Sequence, residues 1–307
     1  MSHRLKSIDY LRCIACLFII NSHIGVLYPA RLSRLAWGGY FGNCIFFFVS
    51  GFCLVNIRDS FPKWYYKRFI RVYIPYVISI PIVFFSGVSD AESFIDYLMP
   101  FKDYHFIPTI LFLYVGYYFL LKLHRKGVSF YSQVIAIALF MIAYFFLVYD
   151  YEKGDIYAHL SVLEMLSYMV TMLLGAVSAF KSEDNKMGII QSTMLTCACF
   201  LLYAYQSIYG FPKVLSILQL FIGVGFAAGI GSLMIRCEDK LVELSIIKLA
   251  SLVTLEAYIV HYICIEAYKG IGFPTNLMFL IISILSVSYC LHNIADRVIK
   301  RLQTVKL

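Results

Sequence analysis

Ten apolar runs, each close to the length of a membrane-spanning helix, constrain the fold of this chain more than any other feature. A bilayer requires about 17 to 25 apolar residues per helical span, with charge, proline and glycine kept to the loops. The composition agrees, since 61% of the 307 residues are hydrophobic and mean hydropathy is +0.78, which excludes an ordinary soluble domain. We predict an all-α polytopic membrane protein, a single domain over residues 1–307, with spans at about 8–28, 37–57, 72–89, 106–122, 130–149, 161–180, 188–207, 214–235, 248–268 and 276–293.

The positions of Lys and Arg predict the orientation of these spans. If both termini are cytoplasmic, 19 of the 26 basic residues flank the spans on the inner side and six on the outer side. This excess agrees with the positive-inside rule. We therefore expect cytoplasmic termini, and we attribute the net charge of +8 to topology and to attraction by membrane lipids, with no nucleic-acid partner.

Arg12 and His23 lie on the first predicted span, eleven residues apart. At about 100° per residue, eleven positions make almost whole turns, so the two side chains share one helix face about 16 Å apart along the axis. An ionisable group in hydrocarbon costs on the order of 2.5 to 3.5 kcal/mol and usually marks a functional site. The structural alternative is that Arg12 extends to the cytoplasmic headgroups and His23 lies at the interface.

A basic segment precedes the third span and carries Lys67, Arg68 and Arg71. The arginines are three residues apart, hence neighbours on one helix face, and like charges at this spacing repel unless an anion binds them. Paired guanidiniums suit phosphate, because each can fork onto two oxygens. Pro75 removes the amide that would bond the Arg71 carbonyl, which predicts a local break there. The alternative is a basic stop-transfer cluster that keeps this linker in the cytoplasm.

Small residues and cysteines inside the spans also have alternative interpretations. Ser50 and Gly51 either allow close packing of a neighbouring helix, or Ser50 offers its hydroxyl to a cavity. The nine cysteines lie almost entirely in apolar spans and are expected to be reduced and structural. Cys13 and Cys16 form a CxxC pair in the middle of a helix without a second pair, so we predict no metal.

Three further polar residues are candidates. His105 ends the outer loop before the fourth span, and Glu256 and His261 lie on the ninth. Glu256 and His261 are five residues apart and face different sides of a helix, whereas Tyr258 and His261, three apart, can meet. A histidine at a helix end is more often a structural group than a catalyst.

Together these segments resemble the acyltransferase 3 family of membrane-bound O-acyltransferases. The resemblance rests on Ile8 to Ala15 followed by His23, on Phe47 to Phe52, on Arg68-Phe69-Ile70-Arg71 with Pro75 after it, and on Tyr258-Ile259-Val260-His261. Their order and spacing extend over essentially the whole chain. The chain departs from the family where His105-Phe106-Ile107-Pro108-Thr109 replaces the His-x-Trp-Phe-Leu of many members.

The resemblance implies transfer of an acyl group, usually acetyl, from cytoplasmic acyl-CoA to a sugar hydroxyl in a surface polysaccharide or its lipid-linked precursor. It implies His23 as general base, Arg68 and Arg71 with Lys67 as the donor site, and a bacterial inner membrane as the location. Arg12 then adds a cation or orients the thioester, and Asp9, one turn before it, limits its desolvation cost. Ser50 or a backbone amide stabilises the oxyanion, and His105, Glu256 and His261 support the site or the substrate. An acyl-histidine intermediate remains equally compatible with these residues.

Three other functions stay open at this point. A glycolipid or small-anion transporter would line its path with Arg12, His23 and Glu256, although we detect no inverted repeat and no paired helix breaks. A noncatalytic subunit of a glycan assembly complex would tolerate loss of His23. An unrelated type of membrane acyltransferase pairs Asn or Asp with a buried His in a late helix, whereas the strongest signal here is in the first span.

Overall fold

The computed structural model describes residues 4–87, 94–98, 104–150, 161–180, 187–210 and 212–304. Within these ranges there is no β-strand, which agrees with the predicted all-α fold. The helices are α1 (Lys6–His23), α2 (Gly39–Cys53), α3 (Phe61–Ser86), α4 (Phe94–Leu98), α5 (Phe106–Arg125), α6 (Phe130–Leu147), α7 (Val162–Phe180), α8 (Ile189–Tyr209), α9 (Ile217–Arg236), α10 (Ser245–Leu252), α11 (Thr254–Ala267) and α12 (Thr275–Thr304).

Nine helices of the described part are long and apolar enough to cross a membrane, and α10 with α11 forms a bent tenth candidate. The polytopic membrane fold is therefore confirmed. The ninth span, predicted as one helix over about 248–268, is instead bent by 79° between α10 and α11. Val253 separates the two helices with φ −106° and ψ 16°, and its side chain is buried. Because Val253 is neither Gly nor Pro, the sequence carries no local signal for this bend.

The basic segment at Lys67, Arg68 and Arg71 lies on a helix and not on a linker. α3 begins at Phe61 after the N-cap residue Ser60 and continues through Pro75 to Ser86. The predicted break at Pro75 was therefore wrong. Pro75 is buried, and α3 packs against both α11 and α12, so tertiary packing keeps the helix continuous despite the missing amide.

The chain divides into two compact units. The first contains Met1–Ala15, Asn43–Ile57 and Phe112–Glu243. In it, α2 and α7 approach so closely that a Cβ on Gly51 would lie 1.9 Å from the carbonyl oxygen of Met172. Gly175 of α7 makes a similar approach to the backbone of Phe48. The close packing predicted for Gly51 is thus confirmed.

Glu238 caps the first helix within this unit. Its carboxylate accepts the backbone N–H groups of Lys6 at 2.9 Å and Ser7 at 2.8 Å, and these are donors that α1 leaves unbonded. Partial burial opposes ionisation of Glu238, but its interactions with Ser7 and Lys6 outweigh this effect and hold the pKa of Glu238 below its ordinary value. The start of α1 is therefore fixed by a charge at a helix N-terminus.

The second unit contains Cys16–Gly42, Arg58–Leu111 and Leu244–Leu307. Its helices α3, α11 and α12 pack against one another in all three pairs. Between α3 and α12 the core includes Ile70, Ala295 and Ile299. This unit therefore carries the end of α1, the basic turn of α3 and the late helix with His261.

Candidate functional site

His23 is the last residue of α1, and its imidazole lies against α11 in the second unit. The hydroxyl of Tyr262 is 3.0 Å from Nδ1 of His23 and 3.2 Å from Nε2, so it can bond either ring nitrogen. The ring of His261 lies 5.0 Å from that of His23 and 4.1 Å from that of Tyr262, between centroids. The structure thus brings together two histidines that are 238 positions apart in the chain.

His261 is fully buried, and one hydrogen bond fixes its tautomer. Its Nδ1 lies 2.6 Å from the carbonyl oxygen of Tyr258, one turn earlier on α11. Since a carbonyl only accepts, Nδ1 carries the proton and Nε2 presents a lone pair. Tyr258 and His261 also make the predicted contact, with ring centroids 5.7 Å apart.

Aromatic side chains pack around Tyr258 and Tyr262, the two tyrosines beside His261. Tyr104, which is 2% exposed, lies 6.2 Å from Tyr258 and 6.4 Å from Tyr262 between ring centroids. Tyr76 of α3 meets Tyr104 edge to face at 5.4 Å. The backbone N–H of Phe106 donates to the Tyr258 hydroxyl at 3.4 Å. Rings with polar tips therefore build the aromatic surroundings of this site and supply hydroxyl groups near the histidines.

Asn21, two residues before His23, holds the following loop against the end of α1. Its amide donates to the carbonyl oxygens of Leu35 at 2.7 Å and Trp37 at 3.0 Å. Its own oxygen accepts the Tyr28 hydroxyl at 2.8 Å. The side chain uses both donors and one acceptor, so it positions the segment from which His23 projects.

Asn276, the second residue of α12, makes a further anchor. It is 2% exposed, and its amide donates to the carbonyl oxygen of Leu27 at 2.8 Å. This bond ties the residues just after His23 to the same unit as α11.

The basic turn of α3 places three cations in three different surroundings. Lys67 forms an ion pair with Asp59 at 2.6 Å, and this ammonium holds the pKa of the Asp59 carboxyl below its ordinary value. Arg68 lies over the buried indole of Trp64, 5.3 Å from the ring centroid, which orients its guanidinium. Arg71 is exposed. Arg68 and Arg71 share one face of α3, as predicted from their spacing.

Glu256 belongs to this basic region and not to the histidine pair. Its carboxylate is 2.8 Å from Nδ1 of His292 on α12, and Arg71 interacts electrostatically with His292. Glu256 and His261 do not form a dyad, in agreement with the prediction. At about 1.5 Å per residue, the five positions between them on α11 correspond to about 8 Å along the axis. One helix therefore connects the basic region to the imidazoles.

Asp9, Arg12 and Ser50 belong to the first unit. Asp9 was expected to support Arg12, but it forms a two-pronged ion pair with Arg4 at 2.7 and 2.9 Å instead. This pairing raises the pKa of Arg4. Arg12 interacts electrostatically with the thiol of Cys53 at the end of α2. Ser50 is partly buried, one residue before the tight contact at Gly51.

His105 lies in the second unit, directly before α5. Its carbonyl oxygen accepts both the N–H of Thr109, at 3.1 Å, and the Thr109 hydroxyl, at 2.7 Å. The backbone of His105 therefore forms part of the first turn of α5, beside the buried ring of Tyr104.

Sequence reasoning did not identify Tyr262, His292, Asn21 or Asn276. Tyr262 follows His261 directly and is rotated about 100° from it, so helix spacing gave no reason to place both on His23. The one available signal was its position beside a candidate histidine. The partner of Glu256 lies 36 positions away on another helix, which no local pattern reveals.

The comparison with known proteins gives one family. The sequence model of the acyltransferase 3 family, described as an acyltransferase domain, matches residues 5–291 of the 307. No curated protein and no solved structure matches the chain significantly. The family match extends over most of both compact units and includes every site residue predicted from the sequence, and the chain therefore belongs to the acyltransferase 3 family.

Proposed function

We propose that this membrane acyltransferase moves an acyl group, acetyl in the simplest case, from cytoplasmic acyl-CoA to a hydroxyl of a sugar. The sugar belongs to a surface polysaccharide or its lipid-linked precursor, and the enzyme resides in a bacterial inner membrane. One observation carries the proposal. The second unit joins a histidine in contact with hydroxyl and imidazole groups to a turn bearing paired arginines.

Arg68 and Arg71 hold the phosphates of the donor in this proposal. Their shared face lets two guanidiniums fork onto neighbouring oxygens, and the stacking of Arg68 on Trp64 orients one of them in advance. Lys67 adds a cation whose charge Asp59 partly offsets. The exposure of Arg71 leaves it accessible to an anion from the aqueous side.

His23 acts as the general base. It takes the proton of the acceptor hydroxyl as the oxygen attacks the thioester carbonyl, the C–S bond then breaks, and the CoA thiolate receives the proton from His23. The products are an ester and free CoA. An imidazole suits both proton transfers because its unperturbed pKa, about 6.5, is close to the operating pH.

Arg12 and Ser50 have supporting roles in the proposal. Arg12 orients the thioester, and Ser50 or a backbone amide stabilises the oxyanion that develops on its carbonyl. An acyl-histidine intermediate at His23 uses the same residues, with the acyl group held on the imidazole before the acceptor arrives. His105, Glu256 and His261 support the site in either route.

Replacing His23 tests the base assignment. His23→Ala should lower acyl transfer by about 10² to 10⁴-fold, the usual contribution of general-base catalysis. His124→Ala is the matched control, since that histidine lies in the first unit and stacks on Phe130. Both variants are assayed in membranes at equal protein content. Full activity of His23→Ala would remove the base role.

The donor site has its own test. Arg68→Ala and Arg71→Ala should weaken binding of acyl-CoA. The difference in affinity between each variant and wild type should become smaller as the salt concentration rises, because salt screens the attraction between the wild-type arginines and the phosphates. Lys63→Ala is the control, because Lys63 is an exposed cation on the same helix. Unchanged binding of acyl-CoA by both arginine variants would contradict the donor site and would favour the alternative, a basic cluster that only sets the membrane topology.

Transport of a glycolipid or small anion is the second candidate. The 79° bend between α10 and α11 favours it, since interrupted helices are common at transporter substrate sites. A transporter would leave the acyl group on CoA, so direct measurement of the transferred group separates the two functions.

A further inference from the structure

His292 lies where three helices pack on one another. It belongs to α12, and its imidazole contacts the buried carboxylate of Glu256 on α11. Arg71 of α3, which is exposed, acts on it electrostatically. His292 has no role in the mechanism proposed for this enzyme. A histidine between a buried carboxylate and an exposed arginine is nevertheless suited to bind an anion, because its own charge can change near neutral pH.

The packing of α12 on α3 places His292 beside the basic turn. Ala295 and Ile299 of α12 share a buried core with Ile70 of α3. They follow His292 by three and seven positions, so all three side chains share one face of α12. Arg71 is the next residue after Ile70. The face of α12 that carries His292 therefore packs on the part of α3 that carries Arg71.

Glu256 fixes which nitrogen of His292 carries a proton. Its carboxylate oxygen lies 2.8 Å from Nδ1 of His292, and an ionised carboxylate only accepts, so Nδ1 carries the proton. This bond does not use Nε2, on the opposite side of the ring. Nε2 presents a lone pair when His292 is neutral and an N–H when His292 is protonated. Only protonated His292 can therefore donate to an anion through Nε2.

The charges around His292 suit an anion. The side chain of Glu256 is 6% exposed and that of His292 is 23% exposed, so the imidazole is the accessible member of this pair. The other charged groups that act on His292 are Arg71 of α3 and Asp296, one turn further along α12. Asp296 is paired with Lys300 at 2.5 Å, which offsets its charge. Protonated His292 and Arg71 are then neighbouring cations, and a bound phosphate group would remove their repulsion.

We propose that His292 is a third ligand of the donor phosphates, in which the Nε2–H group of protonated His292 and the guanidinium of Arg71 bind oxygens of one phosphate group of acyl-CoA. The inference rests on the proposed function, since it extends the donor site at Arg68 and Arg71. No covalent bond is made or broken at His292. Binding of the donor takes up a proton from solvent when His292 is neutral beforehand, and release of CoA returns it. The affinity for acyl-CoA should therefore depend on pH through His292.

The experiment measures binding of acetyl-CoA to the full-length protein from about pH 5 to about pH 8, the range in which a histidine titrates. His292→Gln keeps an N–H donor for Glu256 but carries no charge, and His292→Lys keeps a charge throughout this range. At the acid end, wild type should bind acetyl-CoA about tenfold more tightly than His292→Gln, the effect of one hydrogen bond to a charged group. This ratio of affinities should fall towards one as pH rises, whereas the ratio of His292→Lys to His292→Gln should change little. Comparing ratios cancels the ionisation of the donor itself.

His124→Gln is the matched control and should keep the wild-type dependence of affinity on pH, because His124 stacks on Phe130 in the first unit. An affinity of His292→Gln equal to that of wild type at every pH would overturn the inference. A loss of affinity that is constant with pH and equal in His292→Gln and His292→Lys would also overturn it, because such a loss would indicate a role in packing alone.

Failure of this inference and failure of the proposed function give different results. If Arg71→Ala weakens binding of acetyl-CoA while His292→Gln binds it as wild type does, the donor site stands and His292 does not belong to it. If the wild-type protein does not bind acetyl-CoA at all, the proposed function is wrong and the role of His292 is wrong with it.

Discussion

Asn21 should control how well His23 is positioned, because it holds the loop that follows the first helix. Asn21→Ala removes three neutral hydrogen bonds, to Leu35, Trp37 and Tyr28. Such bonds contribute about 0.5 to 1.5 kcal/mol each, and the one to Leu35 is exposed, so a value near 0.7 kcal/mol per bond is appropriate. The three together give about 2 kcal/mol.

If that free energy serves to hold His23 in its reactive position, Asn21→Ala should lower kcat by about 30-fold, since 1.4 kcal/mol corresponds to tenfold. Tyr28→Phe removes one of the three bonds and should lower kcat by about threefold. The assay is acyl transfer by purified protein at saturating acyl-CoA, together with thermal unfolding in detergent.

Asn293→Ala is the matched control. Its amide makes one exposed bond to Tyr289 on its own helix, so its removal should leave kcat unchanged. The graded order of wild type, Tyr28→Phe and Asn21→Ala is the essential result. Wild-type kcat in Asn21→Ala would refute the positioning role, and an equal loss in Tyr28→Phe and Asn21→Ala would refute the additive reasoning.

Three further predictions concern the scaffold. Gly51→Ala should lower the melting temperature strongly, because its Cβ would lie 1.9 Å from a backbone oxygen. Gly270→Ala is the control and should not lower it, because no atom lies within 4 Å of its Cβ. Equal melting temperatures of the two variants would contradict the close packing at Gly51. Glu238→Gln should destabilise the protein at neutral pH. Since the pKa of Glu238 is lowered on folding, its stabilisation is present above the ordinary pKa of about 4.3 and is lost as pH falls through the folded pKa. The stabilities of wild type and variant should therefore converge in acid. A stability difference that is constant with pH would argue against the ionised cap. Trp64→Leu should weaken acyl-CoA binding, because Arg68 would lose the ring that orients it, and titration with acyl-CoA measures this affinity. An unchanged affinity would show that the stacking has no role.

The spans could be predicted from sequence because bilayer thickness imposes a local length on every apolar run. The bend at Val253 could not be predicted, since a valine carries no helix-breaking signal. The break expected at Pro75 was wrong for the complementary reason. Proline removes one hydrogen bond, and the packing of α3 on its neighbours offsets that loss.

Partnerships across helices were the least predictable part of the site. Helix spacing correctly separated Glu256 from His261, but the partner of Glu256 is His292, on the following long helix. Asp9 and Arg12 are one turn apart, yet Asp9 pairs with Arg4. A long charged side chain has several partners within reach, and its spacing in the sequence does not determine which of them it binds. His23 and His261 were each visible as candidates, while their contact depends on how the first helix meets α11.

The central claim is that this protein transfers an acyl group to a hydroxyl through His23, and the fate of a labelled acyl group tests it most directly. Purified protein is incubated with acetyl-CoA labelled in the acetyl group and with a sugar-containing acceptor. The account predicts that wild type moves the label onto an acceptor hydroxyl and releases free CoA, and that His23→Ala does not. Label that stays on CoA with the wild-type protein, or moves equally well with His23→Ala, would contradict it.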